Sequence, residues 1–87
     1  MNSIRTVDGT ILEVIWVAVS NIDGALRFAI PDPDAARLFS LFTNPENCYE
    51  IVRMIDGQDV QSFEGYTVFR GLQMNYDGTS IVSLSKI

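Results

Sequence analysis

Residues 31 to 45 read PDPDAARLFSLFTNP, and this stretch decides the fold because it is the one convincing helix in a chain that otherwise alternates like strand. Asp32 can cap the helix by accepting from free amides of the first turn, Pro33 suits the first helical position with its preset φ, and Asp34 complements the helix dipole. At the far end Asn44 suits a left-handed cap, while Pro45 cannot continue a helix and disfavours helical geometry in the residue before it. The spacing predicts a helix over residues 33–43. Ala35, Leu38, Phe39 and Phe42 fall on one face with Leu41 at its border, and Asp34, Arg37 and Ser40 lie away from it. That face is expected to be buried against a sheet, so Phe39→Ala should cost about 3 to 5 kcal/mol if the ring is fully covered.

Outward from the helix, four Asp-Gly pairs punctuate the chain, at Asp8-Gly9, Asp23-Gly24, Asp56-Gly57 and Asp77-Gly78. Each sits between strand-like runs and reads as a hairpin turn. Asn21 to Gly24 and Asn75 to Gly78 are N-x-D-G, which suits a type I turn followed by a left-handed glycine closing a three-residue loop. Side-chain alternation tests the loop length, because a slip of one residue sends a strand's apolar set to the other face. At Asp77 a three-residue loop sets Leu72 opposite Val82 and Arg70 opposite Leu84, leaving Gln73, Gly71, Ser83 and Ser85 on the other side. The same loop at Asp56 pairs Val52 with Val60 and Arg53 with Asp59, and at Asp8 it pairs Ile4 with Leu12. At Asp23 the pattern does not decide.

Two meanders follow, one on each side of the helix. The first runs Asn2 to Thr6, Thr10 to Ser20 and Ala25 to Ile30; the second runs Cys48 to Met54, Asp59 to Asn75 and Thr79 to Lys86. Glu64-Gly65 is expected to bend or bulge the long middle section, which would otherwise overshoot its partners. The expected fold class is α+β: antiparallel β-meanders of about six to seven strands, sandwich- or barrel-like, packed on one α-helix (residues 33–43), in a single domain spanning residues 1–87. Within Thr10 to Ser20, Leu12, Val14, Trp16 and Ala18 form one side, and Ile11, Ile15, Val17 and Val19 the other, interrupted only by Glu13. A strand apolar on both faces is either covered twice or has one face awaiting another molecule.

Composition sets the outer limits. The chain has 87 residues, of which 47% are hydrophobic and 20% charged, too apolar for disorder and enough for one small core. The absence of a basic, apolar leader and the shortness of the longest apolar run, Val14 to Val19, predict a soluble intracellular protein, cytoplasmic or a virion component, with no membrane partner. A net charge of −5 with dispersed cations argues against nucleic acid. Cys48, the sole cysteine, is expected to be a reduced core residue.

Catalytic residue types are sparse. With no histidine, histidine-dependent triads are excluded and the usual metal ligand is missing. No serine lies in a G-x-S-x-G elbow or an S-x-x-K pair. Asp32, Asp34 and Glu46 can approach a hard cation, yet helix capping explains the aspartates without one, and no Asp-Gly turn carries the ligand series of a calcium loop. Glu13, Glu50 and Glu64 would need a shared cleft to act as a carboxylate pair. The expectation is therefore no enzyme, no cofactor and no metal. The residues marked for an interface or ligand are Trp16, Ile15 and Val17 on the two-faced strand, and Phe63 and Tyr66 about Gly65, whose neighbours suggest a bulge or close backbone approach.

F-E-G-Y-T at residues 63–67, followed by N-Y-D-G-T-S-I-V-S-L-S-K at 75–86, resembles the second half of small uncharacterised bacterial proteins encoded among prophage structural genes. The resemblance covers at most the last forty residues. It implies a component that works by assembly, and it carries over no catalytic or ligand-binding residue. The expected function is a non-enzymatic interaction or assembly protein with a protein partner or a homo-oligomeric contact; the alternative is a small-ligand or peptide-binding β domain using an aromatic pocket around Trp16 and Tyr66.

Overall fold

The computed structural model describes all 87 residues. Its elements are β1 (Asn2–Arg5), β2 (Ile11–Glu13), β3 (Trp16–Val19), β4 (Leu26–Ile30), α1 (Ala35–Phe42), a 3-10 turn (Pro45–Cys48), β5 (Glu50–Ile55), β6 (Gln58–Glu64), β7 (Val68–Met74) and β8 (Ser80–Ser85). The class is α+β as expected, with every strand pairing antiparallel. One sheet is ordered β2-β1-β5-β6 and the other β3-β4-β8-β7. No helix is long and apolar enough to cross a membrane.

Eight strands replace the expected six to seven because the two longest runs each break and change sheet. At the first corner the Val14 amide donates to Asn2 C=O in one sheet (3.0 Å), and the next amide, of Ile15, donates to Ala29 C=O in the other (2.8 Å). Before the corner Leu12 and Val14 face the core; beyond it Val17 packs against the core while Ile15 and Trp16 turn out. The parity of the inward residues flips, which is why Thr10 to Ser20 reads as apolar on both sides. The second corner follows Glu64, at the expected bend. There Gly65 takes φ +83° and donates to Tyr49 C=O (2.9 Å). A Cβ at Gly65 would meet nothing within 4 Å, so the backbone conformation itself calls for glycine. Strands that switch sheets at bends form the corners of orthogonal sandwiches.

Each half is thus hairpin, corner, hairpin, and the halves join through the β1–β5 and β4–β8 ladders. Exchanging β1–β4 with β5–β8 returns both sheet orders unchanged, a topological two-fold relating the two halves.

The turn readings hold at two sites. Ile4 pairs with Leu12 and Leu72 with Val82, through three-residue loops closed by Thr6 N–H to Thr10 C=O (3.0 Å) and Asn75 N–H to Thr79 C=O (2.9 Å). Arg70, however, does not face Leu84. A register shift between Phe69 and Gly71 leaves it out of the ladder, and Phe69 takes that place. At Asp56 the expected loop is wrong. Ile55 pairs with Gln58 across a two-residue turn in which Asp56 (φ +50°) and Gly57 (φ +81°) are both left-handed. A bulge at Arg53/Met54 then sets Val52 against Ser62 and Arg53 against Gln61. At Asp23 the loop spans four residues, closed by Ser20 N–H to Ala25 C=O (2.9 Å).

The helix begins later than its sequence signals place it. Asp34, not Asp32, is the cap, accepting from Arg37 N–H (3.1 Å), while Asp32 accepts from Asp34 N–H (2.9 Å) and pairs with Arg37. Asn44 is extended (φ −85°) and caps the 3-10 turn through Glu46 N–H, with Pro45 as that turn's first residue. Leu38 and Phe42 are fully buried, and the Phe42 ring meets Phe28 edge-on at 5.2 Å. Phe39 departs from the expected buried face. It lies one residue, about 100°, round from Leu38, is 53% exposed, and rests edge-on against Phe69 at 5.3 Å. Cys48 is buried in the same cluster, where loss of solvent pushes its thiol up to about 11.

Candidate interaction surface

A sheet edge exposes unpaired N–H and C=O groups, and proteins blunt such edges with charge, bulges, shortness or a covering element. The two sheets here end in β2, β6, β3 and β7. β2 has three residues and finishes on Glu13. β6 is largely polar and carries Asp59, held bidentately by Arg5 at 3.1 and 3.0 Å, and Glu64. β7 is broken by the irregularity at Arg70 and lies beside α1, with Phe39 on Phe69.

β3 is also short, at four residues, but it carries none of the other devices. From Ile15 to Val19 the sequence is IWVAV, without charge, glycine or proline; Ile15 and Trp16 both lie against Ala29 at the start of the strand, and from Trp16 to Val19 the ladder with β4 keeps one register. Ile15 is 52% exposed, and Trp16 and Val19 are each 41% exposed. The Ser20 to Ala25 bond fixes the phase of the ladder. Ser20, Ala18 and Trp16 turn their backbone groups toward β4, so Val17 and Val19 turn theirs to the open edge.

Trp16 also stands over the outer face of its sheet. It is cross-strand from buried Ala29, which pairs in turn with Ile81. Small residues Gly71 and Ser83 leave a shallow hollow there, bordered by Trp16, Ile81, Gln73 and Arg27. Arg27 is fixed by Asp23 at 3.3 and 2.7 Å, and that contact, with the Ala25 amide, holds the Asp23 carboxyl well below the usual range. On the helix side, Ala35, Ala36, Phe39, Phe69 and Leu72 line an apolar groove. The helical pattern placed Phe39 in the core, and so concealed this groove.

The five marked residues therefore separate. Ile15 and Trp16 are exposed together, and Val17 is partly buried against the core. Phe63 and Tyr66 are buried, 6% and 7% exposed, their rings edge-on at 6.4 Å with the Lys86 ammonium 5.1 Å from the Tyr66 centroid. Trp16 and Tyr66 do not share a hollow. Glu50 and Glu64 face each other across β5–β6 on an exposed surface, where Glu50 accepts from the Ser62 hydroxyl (3.2 Å). Glu13 is on the opposite edge strand of that sheet. No three acidic or thiol groups converge in metal-binding geometry. Set beside family models, curated proteins and solved structures, the chain matches none.

Proposed function

We propose that this protein is a non-enzymatic interaction or assembly module, a structural component of the kind encoded among prophage genes, that works through a sheet edge. The observation carrying this reading is the uncharged, exposed β3 edge in a chain whose other three edges are blunted. The resemblance of residues 63–67 and 75–86 to prophage-associated proteins supports the assembly context. The test is light scattering of the chain from about 1 to 500 µM, with a pulldown using wild type and an Ile15→Lys/Val19→Lys double variant. Association or retention that the double variant loses supports the reading. A monomer throughout, with nothing retained specifically, refutes it.

The hollow beside Trp16 favours a second reading, capture of a small ligand or peptide against the indole. Quenching or shift of the single tryptophan's emission on ligand titration tests it, and an unchanged spectrum against a panel of sugars and apolar peptides counts against it.

A further inference from the structure

We infer that the partner of β3 is a second copy of this chain, bound by antiparallel pairing of β3 with β3 about a two-fold axis into one continuous eight-stranded sheet. This rests on the interaction-module reading and names its partner. The topological two-fold supplies the first argument. It makes β7 the counterpart of β3, and β7 is flanked by α1 and interrupted at Arg70, whereas β3 has neither cover nor interruption. The linking helix packs its Phe39 on Phe69 of β7, and no comparable helix contact reaches β3.

The second argument is self-complementarity. Because Val17 and Val19 present the outward backbone groups, a two-fold can set Val17 of one copy against Val19 of the other, twice, giving about four backbone hydrogen bonds. Ala18 then faces Ala18 on the axis as a non-hydrogen-bonded pair, the closest side-chain approach in a ladder, and alanine is small enough for it. On the outer face each Trp16 reaches diagonally toward the axial alanines.

Charge also selects this contact. Two copies of net charge −5 repel over most of their surfaces, and Ile15 to Val19 brings no like charges together. Screening should therefore strengthen the dimer as salt rises, the reverse of what a basic partner would show. One strand and its flanking side chains fall short of the ~800 Å² per partner of a standard interface, which sets the expected affinity in the micromolar range or weaker.

The test uses the whole chain in sedimentation equilibrium from about 1 µM to 1 mM. Wild type should pass from monomer to dimer and no further, with tighter association at higher salt. Ala18→Lys puts like charges on the axis at an exposed position and should weaken association at least about tenfold with an unchanged circular dichroism spectrum. Ala18→Cys should crosslink to a covalent dimer in oxidised glutathione, because buried Cys48 does not compete, whereas Val60→Cys on the β6 edge should not. A monomer at all concentrations, a dimer indifferent to Ala18→Lys, or open-ended growth overturns β3 self-pairing. The interaction reading itself falls only if the pulldown is empty as well.

Discussion

Phe42→Ala tests how the helix is seated. The ring is fully buried, caps the core where α1 meets the sheets, and packs edge-on against Phe28 at 5.2 Å. Truncation removes its burial and the aromatic pair and leaves a cavity, for which about 3 to 5 kcal/mol is expected. Phe39 is 53% exposed and keeps one aromatic partner, Phe69, so Phe39→Ala should cost only about 1 kcal/mol. In a domain of this size the first loss lowers Tm by roughly 12 to 40 °C and the second by roughly 4 to 8 °C. Urea unfolding followed by circular dichroism separates them. Total stability is on the order of 5 to 15 kcal/mol, so Phe42→Ala can fail to fold. Phe42→Leu, expected near 1 to 2 kcal/mol, then carries the comparison, roughly. If Phe39→Ala costs as much as Phe42→Ala, or Phe42→Ala costs under about 1 kcal/mol, the assignment of the buried face is wrong.

Gly65→Ala should destabilise by about 1 to 2 kcal/mol through its positive φ, while Gly71→Ala, whose φ is not positive and which is equally uncrowded, should stay within about 0.5 kcal/mol; thermal melts of the pair check this. The Cys48 thiol should react with Ellman's reagent only as fast as the structure opens, and urea should restore full reactivity. Its raised titration also works against the fold in alkali. The unfolded thiol ionises near its ordinary value of 9.0 and the folded one near 11, so the contribution is complete below 9 and lost as pH rises between them, measurable as a falling urea midpoint. At the acid end, Asp8, Asp23, Asp32, Asp56, Asp59 and Asp77 are all held below 3.8, in each case chiefly by a hydrogen bond the carboxylate accepts. Their contribution is present above that value and lost as pH falls through the folded values, so the urea midpoint should hold at pH 5 and drop below about 4.

What was legible in the sequence follows from how each feature is encoded. The loops at Asp8 and Asp77 could be read because a three-residue loop there sets apolar residues of the core face opposite one another, Ile4 with Leu12 and Leu72 with Val82. The Asp56 loop could not, because aspartate tolerates the left-handed conformation and permits the shorter turn, and the bulge at Arg53/Met54 then shifts the alternation that would have revealed it. Glu64-Gly65 announced its corner through glycine. Val14-Ile15 carries no such residue, and its only trace was apolarity on both sides, the pattern that a flip of inward parity produces. That same two-sided apolarity points to Ile15 and Trp16, which are exposed, whereas Phe63 and Tyr66, distinctive as aromatics beside Gly65, lie in the core.

The two-fold plan explains why the informative residues sit where they do. In a sandwich built from two equivalent halves, every device that protects one edge is expected at its counterpart unless something else relieves the need. β2 and β6 are counterparts, and each carries charge, Glu13 in one and Asp59 with Glu64 in the other. β3 and β7 are counterparts, and they differ. β7 has an irregularity, an arginine and the neighbouring helix, while β3 offers four apolar residues and unpaired backbone groups at Val17 and Val19. The helix that joins the halves packs beside β7 and makes no comparable contact with β3, so within the fold β3 has no covering helix. An uncharged edge strand left open promotes aggregation, and the cost of leaving it uncovered is what a partner strand would relieve.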